Sequence, residues 1–368
     1  MQEGLRSKKF SAVELTEAHL AQIAKHNEAL NGFVSVHHDE SIEQARKADE
    51  RLSKEAEKAA AMTGIPVAVK DAIVMKDSVT TNGSAILKNY RSPFDATVIH
   101  KLRKQDAVLI GKTNLDQFGM GSSTEHSIFG PSRNPHDVTR VAGGTSGGSA
   151  IAAASLQCAV ALGADTGGSI RQPASFCGIY GLKPSYGRVS RYGLIAHASS
   201  FDQIGPMGRT AACVAEGFSA IAGHDPKDST SVDEKLPSLT ECTKESGEDL
   251  AGLRVGIPSE YFVSGIDPDV ERAIQEGLRS LERRGATLVE ISLPHTKYAI
   301  AAYYIITPAE ASSNLARFDG VHFGERGSES NSLAALYENT RSEGFGEEVK
   351  RRILVGSFVL SAGYFDAY

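Results

Sequence analysis

Ala164-Asp165-Thr166-Gly167-Gly168-Ser169-Ile170-Arg171-Gln172-Pro173 sets one hydroxyl directly behind two glycines. Without a Cβ, Gly167 and Gly168 let the backbone turn tightly and aim successive N–H groups at whatever the Ser169 hydroxyl attacks. An acyl-transfer nucleophile needs both features, an exposed Oγ and preorganised donors for the oxyanion that forms. A Gly-Gly-Ser in a plain tight turn looks the same in isolation. A second block lies just upstream, Gly143-Gly144-Thr145-Ser146-Gly147-Gly148-Ser149-Ala150, again with small hydroxyl residues between glycines. The pair does not fit a phosphate cradle. A P-loop wants Lys behind its last glycine, and the dinucleotide fingerprint wants alternating glycines that open a helix.

Serine needs a base. The eleven histidines are scattered, and the Gly-x-Ser-x-Gly elbow of serine hydrolases occurs only around Ser146, out of frame with Ser169. Lys70 is the better candidate. It closes the apolar run Ile65-Pro66-Val67-Ala68-Val69, which reads as a buried strand behind Gly64. A lysine at a strand end commonly just reaches solvent. Inside an apolar pocket, desolvation lowers its pKa by up to several units and leaves a neutral amine able to accept a proton.

On these residues the chain resembles the amidase signature family, whose members use a serine, a second serine held by a cis peptide, and a lysine. Residues 143–173 resemble the signature block, and Gly64-Ile65-Pro66-Val67-Ala68-Val69-Lys70-Asp71 resembles the lysine strand. The resemblance implies that Ser169 is the nucleophile, that Lys70 is the general base, and that the N–H groups of Thr166, Gly167, Gly168 and Ser169 form the oxyanion hole. Thr145 stands where the family has its relay serine. It keeps a hydroxyl, but its methyl stiffens χ1; Ser146 beside it resembles the structural serine of the block. The implied fold is α/β, a mixed central sheet with helices on both faces. It is expected as a single domain over residues 1–368, with a helical segment, residues 1–62, packed on it.

The pattern along the chain agrees. Ser11 and Glu14 form a capping box that opens a helix through Leu15, Ala18 and Ile23. A second amphipathic helix is expected from Ser41 to Ala61, with Ile42, Ala45, Leu52, Ala56 and Ala59 as its stripe. Strand-like runs follow at 68–69, 107–110, 159–162 and 253–257. Asp267-Pro268 then caps a helix with Val270, Ala273, Ile274, Leu278 and Leu281 on one face, and 288–291 returns as a strand. Such alternation argues for an α/β sheet. The polar stretch from Asp225 to Glu248 reads as a surface excursion.

With 368 residues, 41% of them hydrophobic, the chain is long enough to bury a large core. Its net charge of −6, with mixed signs throughout, argues against a surface that grips nucleic acid by itself. Cys158, Cys177, Cys213 and Cys242 lack zinc or redox spacing and read as free thiols in a reducing compartment. No apolar run is long enough to cross a bilayer, and Met1-Gln2-Glu3-Gly4 leads into a polar segment without a signal pattern; a cytoplasmic protein is expected.

Segments outside the core motifs narrow the resemblance. Residues 119–125, 180–194, 309–321 and 341–352 resemble the branch of the family that supplies glutaminase subunits to tRNA-dependent amidotransferases. That branch implies attack on the side-chain amide of free glutamine, a glutamyl-ester intermediate, and release of ammonia. It implies two partners, a B subunit that holds ATP, Mg²⁺ and Glu-tRNA(Gln), and a small C subunit. No cofactor and no metal are expected in this chain. Arg351 and Arg352 are candidates for the glutamine α-carboxylate, which a planar guanidinium matches bidentately; otherwise they are solvated helix charges. Gly121 and Ser122, in the loop with Ser123, offer polar contacts to the substrate or simply form a capping turn. Members of the branch run on past 361–368, so the chain is expected to stop inside a helix, ahead of part of the pocket. Two rivals stand beside this reading, a stand-alone hydrolase of small amides and a noncatalytic scaffold whose relay Thr145 has disabled. Glutamine turnover separates the scaffold from the enzymes, and partner dependence separates the enzymes from each other.

Overall fold

The run 65–69 becomes the middle of a six-stranded sheet in a computed structural model that describes residues 1–236, 239, 249–328, 330–364 and 366. The strands are β1 (Phe33–Val36), β2 (Pro66–Lys70), β3 (Val108–Thr113), β4 (Val160–Asp165), β5 (Tyr180–Gly181) and β6 (Gln203–Gly208). Their order is β1-β3-β2-β4-β6-β5. β2 runs parallel to β3 and β4, while β1, β5 and β6 pair antiparallel with their neighbours, so the sheet is mixed.

Side chains of a strand alternate between faces, and each face has its own core. Val67, Val69, Leu109, Val160 and Leu162 pack with Ala45, Ala48 and Leu52 of α3 (His38–Glu55), Ile99 and Leu102 of α4 (Thr97–Lys104), and Phe218 and Ile221 of α7 (Ala211–Ile221). Ala68, Ile110 and Ala161 pack on the other face with Leu20 and Ile23 of α2 (Ala12–Leu30), residues 150–153 of α5 (Gly147–Ala154), and Ala174 of α6 (Arg171–Phe176). The expected architecture is thus present, helices on both faces of a mixed sheet.

The capping box of α2 forms in full, with the Ser11 hydroxyl accepting from Glu14 N and the Glu14 carboxylate accepting from Ser11 N at 2.8 Å. Ahead of it, α1 (Gln2–Arg6) buries Leu5. α3 starts three residues earlier than expected and gives way at Ala56–Lys58 to a 3₁₀ turn. Asp39 and Glu40 explain the early start, because carboxylates in a first turn complement the helix dipole.

The chain divides into two compact units, Met1–Leu239 with Thr307–Tyr368, and Thr240–Ile306. The first break falls within the polar stretch 225–248, most of whose second half lies outside the described residues, as does Cys242. The second unit carries β7 (Arg254–Pro258) and β8 (Thr287–Ile291), paired parallel, and α8 (Pro268–Arg283), whose N-cap Asp267 accepts from Asp269 N. These strands, which read as further members of the central sheet, form a separate two-stranded one. Val270 and Ile274 of the expected apolar stripe stay exposed, since a two-stranded sheet covers little of a helix face. Chain order continues with α9 (Ala299–Asn314), α10 (Leu333–Gly344) and α11 (Glu347–Val359). Phe345 and Val349 close a third core with Ile86, Leu87, Phe118, Ala311 and Phe318. Among the described residues, no helix is long and apolar enough to cross a membrane.

α5 sits so close to the sheet that a Cβ on Gly148 would lie 2.4 Å from Gly32 O and 2.5 Å from the N and O of Asn114, all backbone atoms that cannot rotate away. Gly148→Ala is therefore expected to destabilise the fold by about 1–3 kcal/mol, the range for overpacking. Chemical denaturation checks this, and an unchanged midpoint would contradict the close approach.

Candidate active site

Parallel strands end together, so the loops that leave them share one edge of the sheet. Lys70 is the last residue of β2, Asp165 the last of β4, and Thr113, the register partner of Lys70, the last of β3. Thr145 and Ser146 arrive at the same edge from the loop that opens α5.

Lys70 is buried, and its Nζ donates to Thr145 Oγ1 at 2.8 Å and to Ser146 Oγ at 2.9 Å, with Ala164 O at 3.4 Å. Burial pushes its pKa down to about 8, against the pull of the carboxylates of Asp116, Asp165 and Asp202. Ser146 is the second partner of the lysine, more than the structural serine its position implies. Its hydroxyl is committed on both sides, donating to Ala164 O at 3.0 Å and accepting from Ala164 N at 3.2 Å. Among the described residues the Thr145 hydroxyl bonds only Lys70, so its own proton has no described acceptor there and is available for a relay. No peptide bond among the described residues is cis, in contrast to the implied cis linkage of the second serine.

The loop that bears Ser169 is held from beneath by Asp165. This buried carboxylate accepts from Gly168 N at 2.8 Å, Ile170 N at 3.1 Å and Arg171 N at 3.3 Å, and from the Arg171 guanidinium through Nε and Nη2 at 3.0 Å each. Burial alone would raise it, but these donors hold it below the usual carboxylate range. Gly168 has φ +127°, which a side chain disfavours. Its N–H is taken by Asp165, which corrects the expectation that all four loop N–H groups face an oxyanion; those of Thr166, Gly167 and Ser169 donate to no described residue. Ser169 is 9% exposed and its hydroxyl has no hydrogen-bond partner among the described residues. Ser146 N donates to Ser169 O at 3.2 Å and joins the two glycine loops.

A third loop completes the edge. Asp116 accepts from the N–H groups of residues 123–126, between 2.9 and 3.3 Å. Gly121 lies so near this carboxylate that a Cβ would come within 2.4 Å of its Cγ, a packing reason for glycine there. Ser122 is exposed, and its carbonyl accepts from Gly144 N at 2.9 Å, tying this loop to the Thr145 loop. Adjacent positions on α11 separate the two arginines. Arg352 is buried, with Nε 2.9 Å from Glu348 Oε1, whereas Arg351 is exposed and pairs with Glu348 Oε2. Arg351 lines a groove with Glu125, Glu343 and Glu347.

Sequence reasoning missed the inner wall. A narrow pocket is lined by Lys70, Thr145, Thr166, Asn82, His197 and Asp202 among others. Asp202 accepts from Thr166 Oγ1 at 2.6 Å and from His197 N and Ala198 N at 2.9 and 3.1 Å; burial raises it to about 6. His197 is pushed down to about 3 by burial, then by the charges of Arg352 and Lys70, and stays neutral. Below Lys70, Asp71 is paired with buried Lys112 at 2.9 Å and accepts from Thr81 Oγ1 at 2.5 Å. Cys158 and Cys177 are buried and Cys213 half-buried, all three free.

The amidase family model matches residues 14–368. The chain is similar to the A subunit of glutamyl-tRNA(Gln) amidotransferase from Coxiella burnetii, with 52% identity over 368 residues that span all of this chain and 75% of the relative. Among solved structures, the A chain of the same enzyme from Thermotoga maritima superposes with a TM-score of 0.75 at 42% identity, covering 97% of this chain and 70% of that one. A chain of a vestigial complex linked to the origins of an s-triazine catabolic enzyme gives a TM-score of 0.84 at 31% identity, over 99% of this chain and 74% of that one.

Proposed function

The chain belongs to the amidase family, and from that we propose that it hydrolyses free glutamine as the A subunit of a glutamyl-tRNA(Gln) amidotransferase. The observation that carries the chemistry is the buried Lys70 amine 2.8 Å from a threonine hydroxyl whose proton is uncommitted. A neutral Lys70 accepts the Thr145 proton as Thr145 takes that of Ser169, and Ser169 Oγ adds to the carboxamide carbon. The oxyanion meets the N–H groups of Thr166, Gly167 and Ser169. Collapse expels ammonia, to which Lys70 returns the proton through Thr145, and leaves a glutamyl ester on Ser169. Water, deprotonated along the same route, cleaves the ester, so that glutamine and water give glutamate and ammonia.

Delivery of the ammonia calls for the B subunit, which would hold ATP, Mg²⁺ and Glu-tRNA(Gln) in the cytoplasm, with the C subunit bracing the pair. The net charge of −6 supports leaving the RNA to another chain. Gly121 and Ser122 belong to a loop tied to the Thr145 segment by the Gly144 N to Ser122 O bond and are proposed to border the substrate. The test is glutamate release by this chain co-expressed with candidate B and C subunits. Release that needs the partners, and that falls in Thr145→Ala, supports the reading. Release without partners points to a stand-alone amidase, and none under any condition points to a scaffold.

Arg352 is the better cation for the α-carboxylate, because it is buried, fixed by Glu348 and felt electrostatically by His197 in the pocket wall. Loss of a charge-assisted bidentate contact costs about 1.5–3 kcal/mol, so Arg352→Lys is expected to raise KM for glutamine roughly 10–100-fold with little change in kcat. Arg351→Lys should leave KM within about twofold. Steady-state kinetics of the two variants decide, and the reverse order would move the role to Arg351.

A further inference from the structure

Asn82 is 1% exposed and His197 3% exposed, yet both ends of the Asn82 carboxamide and both ring nitrogens of His197 make no hydrogen bond to any described residue. Their backbones are pinned: Asn82 N donates to Asp71 O at 3.0 Å and Asn82 O accepts from Phe118 N at 3.0 Å, while His197 O accepts from Asn314 Nδ2 at 3.2 Å. Both side chains line the pocket that Lys70 enters. Buried polar groups without partners are costly and are normally satisfied by ordered water where the space is polar and large enough. The free space here admits the centre of one water-sized molecule. Neutral His197 offers one donor and one acceptor, Asn82 offers both kinds, and the third N–H of Lys70 has only the distant Ala164 O at 3.4 Å.

We propose that Asn82 and His197 hold a single water molecule against Lys70, and that this water sets how well the ammonium form of Lys70 is solvated. The inference rests on Lys70 being the base. The other charged groups that bear on Lys70 are Asp116 after β3, Asp165 at the end of β4 and Asp202 before β6, and Arg352 of α11 acts on His197. None of them replaces a dipole at the inner wall. His197→Phe, which fills the space with carbon, removes one of the water's partners, makes the cation harder to keep, and moves the proton-accepting form of Lys70 to lower pH.

The experiment has two arms, both on the full chain. A high-resolution crystal structure is expected to show one water within hydrogen-bond distance of the Asn82 and His197 side chains, and to lose it in His197→Phe. The rate at which a sulfonyl fluoride labels Ser169, followed against pH, is expected to reach half its maximum about half a pH unit lower in His197→Phe, and to stay in place in the polar variant His197→Gln. A well-ordered pocket without the water, or an unmoved profile in His197→Phe, overturns the proposal. If His197→Phe does not fold, Asn82→Ala takes its place in both arms. The labelling arm does not depend on which amide is the substrate, so a protein that fails to hydrolyse glutamine still tests the water.

Discussion

Ser169→Ala is expected to lower glutamate release by a factor of about 10⁴ or more while leaving the fold intact. The two halves of this expectation come from different observations. Catalysis by way of an ester cannot begin without the Ser169 oxygen, and what is left is the contribution of the oxyanion donors and of binding alone. Stability should hardly change, because the hydroxyl has no hydrogen-bond partner among the described residues to lose and the loop is fixed by Asp165 beneath it. Such substitutions usually stay within about 0.5 kcal/mol. Glutaminase assays beside a thermal melt test both halves. Retained turnover in a well-folded variant would remove Ser169 from the mechanism, whereas lost turnover with a collapsed melt would place it in the scaffold.

The second large effect concerns pH. Only neutral Lys70 can take a proton, and burial holds its pKa at about 8. The sign follows: kcat/KM should rise about tenfold per pH unit on the acid side and level off above pH 8. At neutral pH only about a tenth of the lysine is in the working form. Lys70→Met, close in volume and unable to accept a proton, is expected to cost a further 10² to 10⁴-fold, roughly the worth of a general base, and to flatten the profile. A break near 10, where an ordinary lysine titrates, would mean that the site is wetter than its burial implies.

The parts of this architecture that follow periodic patterns are legible in the sequence. β2 and β4 are short apolar runs with glycine nearby, and α2 announces itself through Ser11 and Glu14. β6 is hidden because Gly205 and Pro206 sit in its middle; Pro206 has no N–H to donate to a ladder and normally argues against a strand. β7 and β8 are visible as strands, but nothing in their local pattern says that they pair only with each other. Lys70, Thr145 and Ser169, the residues proposed to carry the chemistry, stand out through glycine spacing and family resemblance. Asn82, His197 and Asp202 do not, since single polar residues in irregular loops carry no period and gain meaning only when folding brings them to Lys70. Arg351 and Arg352 are identical letters side by side, and only the turn of α11 buries one and leaves the other in solvent. The glycines at 167 and 168 suggest a nest of N–H groups, but which of them Asp165 claims is a matter of geometry.

The carboxylate of Asp165 gathers its donors from residues that follow it within six positions, and yet it is placed by β4, which must first be seated between β2 and β6. Lys70, the proposed base, comes from β2, far earlier in the chain. Lys70, Thr145 and the Asp165-held loop therefore share one edge only in the assembled sheet, so their geometry reports on the pairing of β2, β4 and β6.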